Sequence, residues 1–201
     1  LGVDLRDGLH IDLLGLRTLD LISEALTHIR AMGGDPPDLD NIPLDDPVLY
    51  RRLNQADTIG VFQVESRAQQ QLLPRLAPRK FEDIIVSVSI VRPGPIQGGA
   101  VHPYLRRRSG EETVTYLHPL LEGALAETYG VLLYQEQVLR VAVDVAGFAP
   151  GEADLLRRAL ARSHSPEDLE PMRRRFLHGA GQRGVAAEIA EVIFQQIAGY
   201  A

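Results

Sequence analysis

Arg157 and Arg158 stand side by side in the run Gly151-Glu-Ala-Asp-Leu-Leu-Arg-Arg-Ala159. A guanidinium carries a permanent charge and a fork of donors matched to phosphate oxygens, so such a pair on a helix suits a polyphosphate. A solvated helix face is the bland alternative. Asp12 lies in the otherwise apolar stretch His10-Ile-Asp-Leu-Leu14. A carboxylate there is costly unless something satisfies it. A hard divalent cation would do so, and so would a strand-end position facing water. His10, two residues earlier, shares a strand face with Asp12. Arg92 opens Arg92-Pro-Gly-Pro95, a rigid turn, and is also available to a phosphate. Gln135, Glu136 and Gln137 fall at a helix start, where capping is one role and contact with a substrate another.

Composition limits the alternatives. The 201 residues are enough for one domain with a real core, and the apolar fraction of 45% fits a globular chain. There is no cysteine, hence no disulfide framework and no thiolate metal site. The six His residues show no zinc-ligand spacing. No apolar run reaches the ~18 residues of a membrane span, and no signal peptide opens the chain, so a soluble cytoplasmic protein with no membrane partner is expected. Net charge is −6, but it is unevenly spread. Residues 1–50 carry ten acids and three bases; residues 51–201 carry 17 acids and 18 bases. The bases cluster at Arg106–Arg108, at Arg157, Arg158 and Arg162, and at Arg173–Arg175. Phosphate contact depends on local patches and not on the sum.

The elements that must position these residues are mostly helical. His10–Leu14 reads as a short buried strand. Leu16, Leu19, Ile22, Leu26 and Ile29 repeat at helical spacing, closed by Gly33-Gly34. Asp46 before Pro47 marks a helix start, and Ser66 caps another that Pro74 is expected to stop. Residues 81–91 match both strand alternation and helical spacing. Residues 92–130 look loop-rich, with a short strand expected at Thr113–Tyr116. Helices are then expected over Gln135–Val145, Gly151–Arg162, from a capping signal at Ser165 to Gly184, and over Val185–Ala198, closed by Gly199.

Several blocks carry a family resemblance. Residues 9–20, Gly60-Val-Phe-Gln-Val-Glu-Ser-Arg67, Phe81-Glu-Asp-Ile-Ile85, Arg92-Pro-Gly-Pro-Ile-Gln-Gly-Gly99, Tyr129-Gly-Val-Leu-Leu-Tyr-Gln-Glu-Gln-Val-Leu139 and the run around Arg157 occur in family order and spacing. Together they resemble the fingers region of bacterial C-family DNA polymerases, the DNA polymerase III alpha subunit family. Ser66-Arg-Ala-Gln69, Gly98-Gly-Ala-Val-His-Pro-Tyr104 and Val143-Asp-Val-Ala-Gly147 look like the error-prone class, while Glu127-Thr-Tyr-Gly-Val-Leu-Leu-Tyr134 is closer to the replicative class. The resemblance implies a mainly α fold with a few short β-strands, and over residues 81–91 a helix running into the Arg92-Pro-Gly-Pro95 break. Residues 1–16 would be the C-terminal end of the palm and 17–201 the fingers, incomplete at the C-terminus.

That family would make Asp12 one of three carboxylates holding two Mg²⁺ ions for nucleotidyl transfer. Arg157 and Arg158 would grip the triphosphate, though side chains leaving the helix about 100° apart leave room for only one direct contact. His10 departs from the Lys common at its position, so its charge role is open. Arg92 would touch substrate phosphate, Gln135 would line the nascent pair, and Glu65 would pair with an arginine. Primer-template DNA, deoxynucleoside triphosphates, the rest of the polymerase chain, the sliding clamp and accessory translesion proteins are the implied partners. The 201-residue chain alone is expected to be inactive, with one metal-binding carboxylate of three. The alternative reading is a non-catalytic helical module that binds DNA or another protein.

Overall fold

The computed structural model describes residues 2–4, 10–12, 17–91, 100–162 and 166–200, and it divides into two compact units, Leu1–Leu44 and Asp45–Ala201. The first unit holds β1 (Gly2–Asp4) and β2 (His10–Asp12), paired antiparallel with Gly2 opposite Asp12 and Asp4 opposite His10. Helix α1 (Arg17–Ala31) follows. Gly33, at φ +79°, ends it as expected: the Gly33 and Gly34 amides reach back to the carbonyls of Arg30 and Ile29. The apolar stripe of α1 is only partly covered, with Ile22, Leu26 and Ile29 half-buried and Leu19 exposed.

Every regular element among the described residues of the second unit is a helix. Helix α2 (Pro47–Asn54) starts at Asp46, whose carboxylate accepts the Val48 amide at 2.8 Å. Helix α3 (Arg67–Leu76) is capped by Ser66 and, against expectation, runs through Pro74. The proline sits two residues before the end, where few helical bonds remain to be lost, and Leu72, Leu73 and Leu76 bury that turn. Helix α4 (Phe81–Ile90) resolves the ambiguous segment. Asp83, Val86, Ser87 and Ile90 are its buried residues, a helical and not an alternating spacing.

Helix α5 (Val101–Ser109) corrects the loop-rich reading of residues 92–130. Its proline, Pro103, falls in the first turn, where a missing amide costs little, and Gly110 at φ +80° closes it. Thr113–Tyr116 forms no strand. A short helix α6 (Glu122–Leu125) leads to α7 (Gln135–Ala146), α8 (Pro150–Arg162), α9 (Pro166–Gln182) and α10 (Ala187–Tyr200). Helix α10 runs through Gly199, which does not close it. The mainly α expectation holds, and among the described residues strand structure is confined to β1 and β2. None of the described helices is long and apolar enough to cross a membrane.

Two apolar cores dominate the second unit. The larger gathers α6–α10 around Phe148, Phe176 and Phe194, whose rings follow one another at 6.2 and 5.6 Å. The other joins Leu72, Leu76, Val86, Ile90, Tyr104, Val131 and Leu133. A smaller cluster of Tyr50, Leu53, Val64 and Leu73 lies under α2.

Helix α9 meets the end of α7 backbone to backbone. A Cβ at Gly179 would stand 1.9 Å from the Ala146 carbonyl oxygen, whereas one at Gly181 would meet nothing within 4 Å. Gly179→Ala should therefore force the two helices apart and cost about 2–3 kcal/mol, a fall in Tm of roughly 5–10 °C. Gly181→Ala, two residues along the same helix, should be neutral or stabilise by up to about 1 kcal/mol. Thermal unfolding of the two variants checks this; equal effects would contradict the close contact.

Candidate phosphate-binding site

Helix α8 starts where α7 stops. Gly147, at φ +64°, ends α7, and the Glu152 carboxylate accepts the Ala149 amide at 2.8 Å to open α8. Ala153, Leu156 and Leu160 face the core at helical spacing. That leaves Asp154, Arg157 and Arg158 on the outer side. Asp154 bridges both arginines. Its Oδ1 accepts Arg157 Nε at 3.0 Å and Nη2 at 2.7 Å, and its Oδ2 lies 2.7 Å from Arg158 Nε. The hydrogen bond from Arg157, joined by the positive charge of both arginines, holds the Asp154 carboxyl below its ordinary value. One carboxylate facing two guanidiniums leaves a net positive spot on a partly exposed surface.

The other basic runs serve the fold. Arg106 and Arg107 both reach Glu112 at 2.8 Å, and Arg107 also donates to the Tyr129 carbonyl at 3.0 Å. Arg173 pairs with Glu170 and Glu191, and Arg174 with Glu170. Arg175 pairs with Glu152 and lies 4.6 Å over the Phe148 ring. Arg108 lies 2.6 Å from Asp83, which is 2% exposed, and donates to the Leu76 carbonyl at 3.1 Å. Burial pushes the Asp83 carboxyl up. The hydrogen bond from Arg108 and the amides of Arg79 and Lys80 outweigh it and hold the group below the usual Asp value.

At the start of α7, Gln135 and Glu136 are exposed while Gln137 is buried. Gln137 Oε1 accepts the Leu133 and Tyr134 amides at 2.8 and 3.0 Å, and its Nε2 donates to Thr128 Oγ1 at 2.8 Å and to the Ala124 carbonyl at 3.3 Å. Of the two roles open to this trio, Gln137 takes the cap. Tyr134, half-buried beside it, has its phenol pushed up to about 12, first by burial and then by Tyr104, Glu127 and Tyr200. Glu65 accepts the Gly60 amide at 2.9 Å.

His10 and Asp12 sit in β2, but their side chains lie outside the described residues, as does the whole of Arg92. Among the described residues no group of three or more His, Asp or Glu converges as a metal cage. The structure thus brings Arg157 and Arg158 together through Asp154 and places Gln135 on the preceding helix. The Asp154 bridge was visible in the sequence as an acid three and four residues before the pair; the Asp83–Arg108 pair, 25 residues apart, carried no local signal.

A compact all-helical unit presenting paired arginines on a helix face is the setting in which the family likeness takes on meaning. Residues 18–184 match the family model described as the bacterial DNA polymerase III alpha subunit finger domain, and the chain belongs to that family. It is 52% identical over 204 residues to an error-prone DNA polymerase of Anaeromyxobacter dehalogenans, covering 97% of this chain and 18% of that protein. It is 50% identical over 191 residues to one of Corynebacterium glutamicum and 49% over 192 to one of Bordetella bronchiseptica, covering 94% and 96% of this chain and 18% of each relative. The chain thus spans less than a fifth of the length of these curated relatives.

Breaking the buried pair should cost far more than breaking a surface one. Arg108→Met strands the Asp83 charge and should destabilise by about 3 kcal/mol, whereas Arg106→Met should cost under about 1 kcal/mol. Because the folded Asp83 carboxyl titrates below its ordinary value of 3.8, the pair's contribution is complete above that pH and fades as pH falls through the lower folded value. Tm measured against pH for both variants checks the ranking; equal losses at neutral pH would contradict it.

Proposed function

We propose that the intact protein is an error-prone DNA polymerase that adds deoxynucleotides to a primer 3′ end, and that Asp45–Ala201 presents the incoming triphosphate to it. The observation that carries this reading is the Arg157–Arg158 pair on the outer face of α8, two guanidiniums sharing one carboxylate. In the reaction the primer 3′-hydroxyl attacks the α-phosphorus, the bond to the β-phosphate oxygen breaks, and pyrophosphate leaves. The outward donors of Arg157 and Arg158 would bind the anionic phosphates and keep them in line for that displacement. The relatives are named error-prone DNA polymerases and match almost the whole chain, which favours this reading over a non-catalytic helical module.

In the same reading residues 1–16 end the palm, residues 17–201 belong to the fingers, and Asp12 is one carboxylate ligand of two Mg²⁺ ions. Bound there, the ions would neutralise charge at the transferred phosphate. The Asp12 side chain lies outside the described residues. His10 stands near the leaving diphosphate, Arg92 reaches substrate phosphate, and Gln135, exposed at the start of α7, lines the nascent pair. Primer-template DNA, deoxynucleoside triphosphates and the remainder of the polymerase chain are the partners. The sliding clamp and accessory translesion proteins, in the cytoplasm, complete the setting.

In the intact polymerase, replacing Arg157 and Arg158 together by Ala should weaken nucleotide capture. A charge-assisted hydrogen bond to phosphate is worth roughly 1.5–3 kcal/mol, so kcat/KM should fall on the order of 10- to 150-fold. Primer-template affinity should fall much less, since DNA contacts are spread over many phosphates. In the same assay Asp12→Asn should abolish incorporation, and the 201-residue chain should extend no primer. Loss of DNA binding with an unchanged nucleotide KM in the double variant would move the pair to the DNA track.

A further inference from the structure

We infer that Asp154 is a positioning residue for nucleotide binding: it ties the Arg157 and Arg158 side chains into one two-pronged phosphate receptor. This rests on the reading of α8 as the triphosphate helix.

Helix geometry sets the problem. Consecutive residues leave a helix about 100° apart, so the two arginines diverge by default. Asp154 comes one turn earlier, about 60° around the axis from Arg157 and about 40° from Arg158 on the other side. It is the position from which one carboxylate reaches both side chains, and it does so with three contacts of 2.7–3.0 Å. Without it two adjacent guanidiniums would repel each other and sample separate rotamers.

The choice of nitrogens decides between a clamp and a plug. A guanidinium has five N–H donors. Asp154 takes Nε and Nη2 of Arg157 on one oxygen and lies 2.7 Å from Nε of Arg158 with the other. Arg157 Nη1 takes no part in those bonds, and two forks of five donors each exceed what one carboxylate can take up. Asp154 leaves a net charge of +1 on the trio. The two long side chains then surrender rotamer freedom before the nucleotide arrives, which lowers what binding must overcome.

The test is steady-state incorporation by the intact polymerase on a primer-template, with Tm recorded for each variant. Asp154→Asn keeps the shape and removes the charge. It should raise the nucleotide KM roughly tenfold, the lower end of what losing an orienting neighbour costs, with kcat and primer-template affinity little changed. Asp154→Glu, which restores the charge, should recover part of the loss. Added to the Arg157→Ala/Arg158→Ala background, Asp154→Asn should raise KM no further. An unchanged or lowered KM for Asp154→Asn, or an equal rise in the background without the arginines, overturns the inference. If the arginine double variant itself leaves nucleotide KM unchanged, the underlying reading of α8 fails. If that variant raises KM and Asp154→Asn does not, only the role of Asp154 fails.

Discussion

The side-chain amide of Gln137 joins the two cores of the helical unit. It is 1% exposed and satisfies both of its ends inside the protein, accepting two backbone amides and donating to a hydroxyl and a carbonyl. The amides belong to Leu133 and Tyr134, in the extended segment that sends Val131 and Leu133 into one core. The helix that carries Gln137 sends Val138, Val141 and Val145 into the other. Tyr200, at the far end of the chain, closes on the same segment by donating to the Leu133 carbonyl at 2.8 Å. An apolar residue at 137 would take the acceptor from the Leu133 and Tyr134 amides, while the Thr128 hydroxyl would keep the Leu125 carbonyl, a cost still above that of one ordinary hydrogen bond. The position of α7 follows from this joint. So does that of α8, which packs on α7 through Ala153 and Leu156.

Charge is organised on the same principle of local satisfaction. Several of the described arginines outside α8 are engaged by neighbouring acids or carbonyls. Arg108, half-buried, pairs with the buried Asp83 and binds the end of α3 to the start of α4. Arg173 and Arg174 are balanced by Glu170 and Glu191. The α8 pair, like Arg106 and Arg107 on Glu112, has one acid for two bases, with side chains 33% and 58% exposed. Positive potential there faces solvent from a helix fixed by the core beneath it.

Local signals carried much of the helical framework. Asp46 before Pro47, Ser66, Gly33 and the buried spacing of α7 and α8 were legible because caps and periodicity act within a few residues. Pro74 and Gly199 misled for the opposite reason: tertiary burial of Leu76 and of Ile197 holds helix where intrinsic preference would end it. Helix α5 was missed because Pro103 and the arginine run read as a surface loop, while its anchors, Tyr104 and Leu105, pack against distant parts of the chain. The arginine pair was legible from residue type and neighbouring motif. Its bridge to Asp154 lay in plain spacing, whereas the pairings of Arg107 and Arg108 with Tyr129 and Asp83 are set by the fold alone.

The most direct test of α8 as the triphosphate helix is hydrogen–deuterium exchange on the intact polymerase bound to primer-template, with and without the next complementary nucleotide. Slowed exchange across Pro150–Arg162, with little change across Val101–Ser109 and Pro166–Gln182, is the expected result. Protection confined to either of those other arginine-bearing helices, with Pro150–Arg162 unaffected, would contradict it.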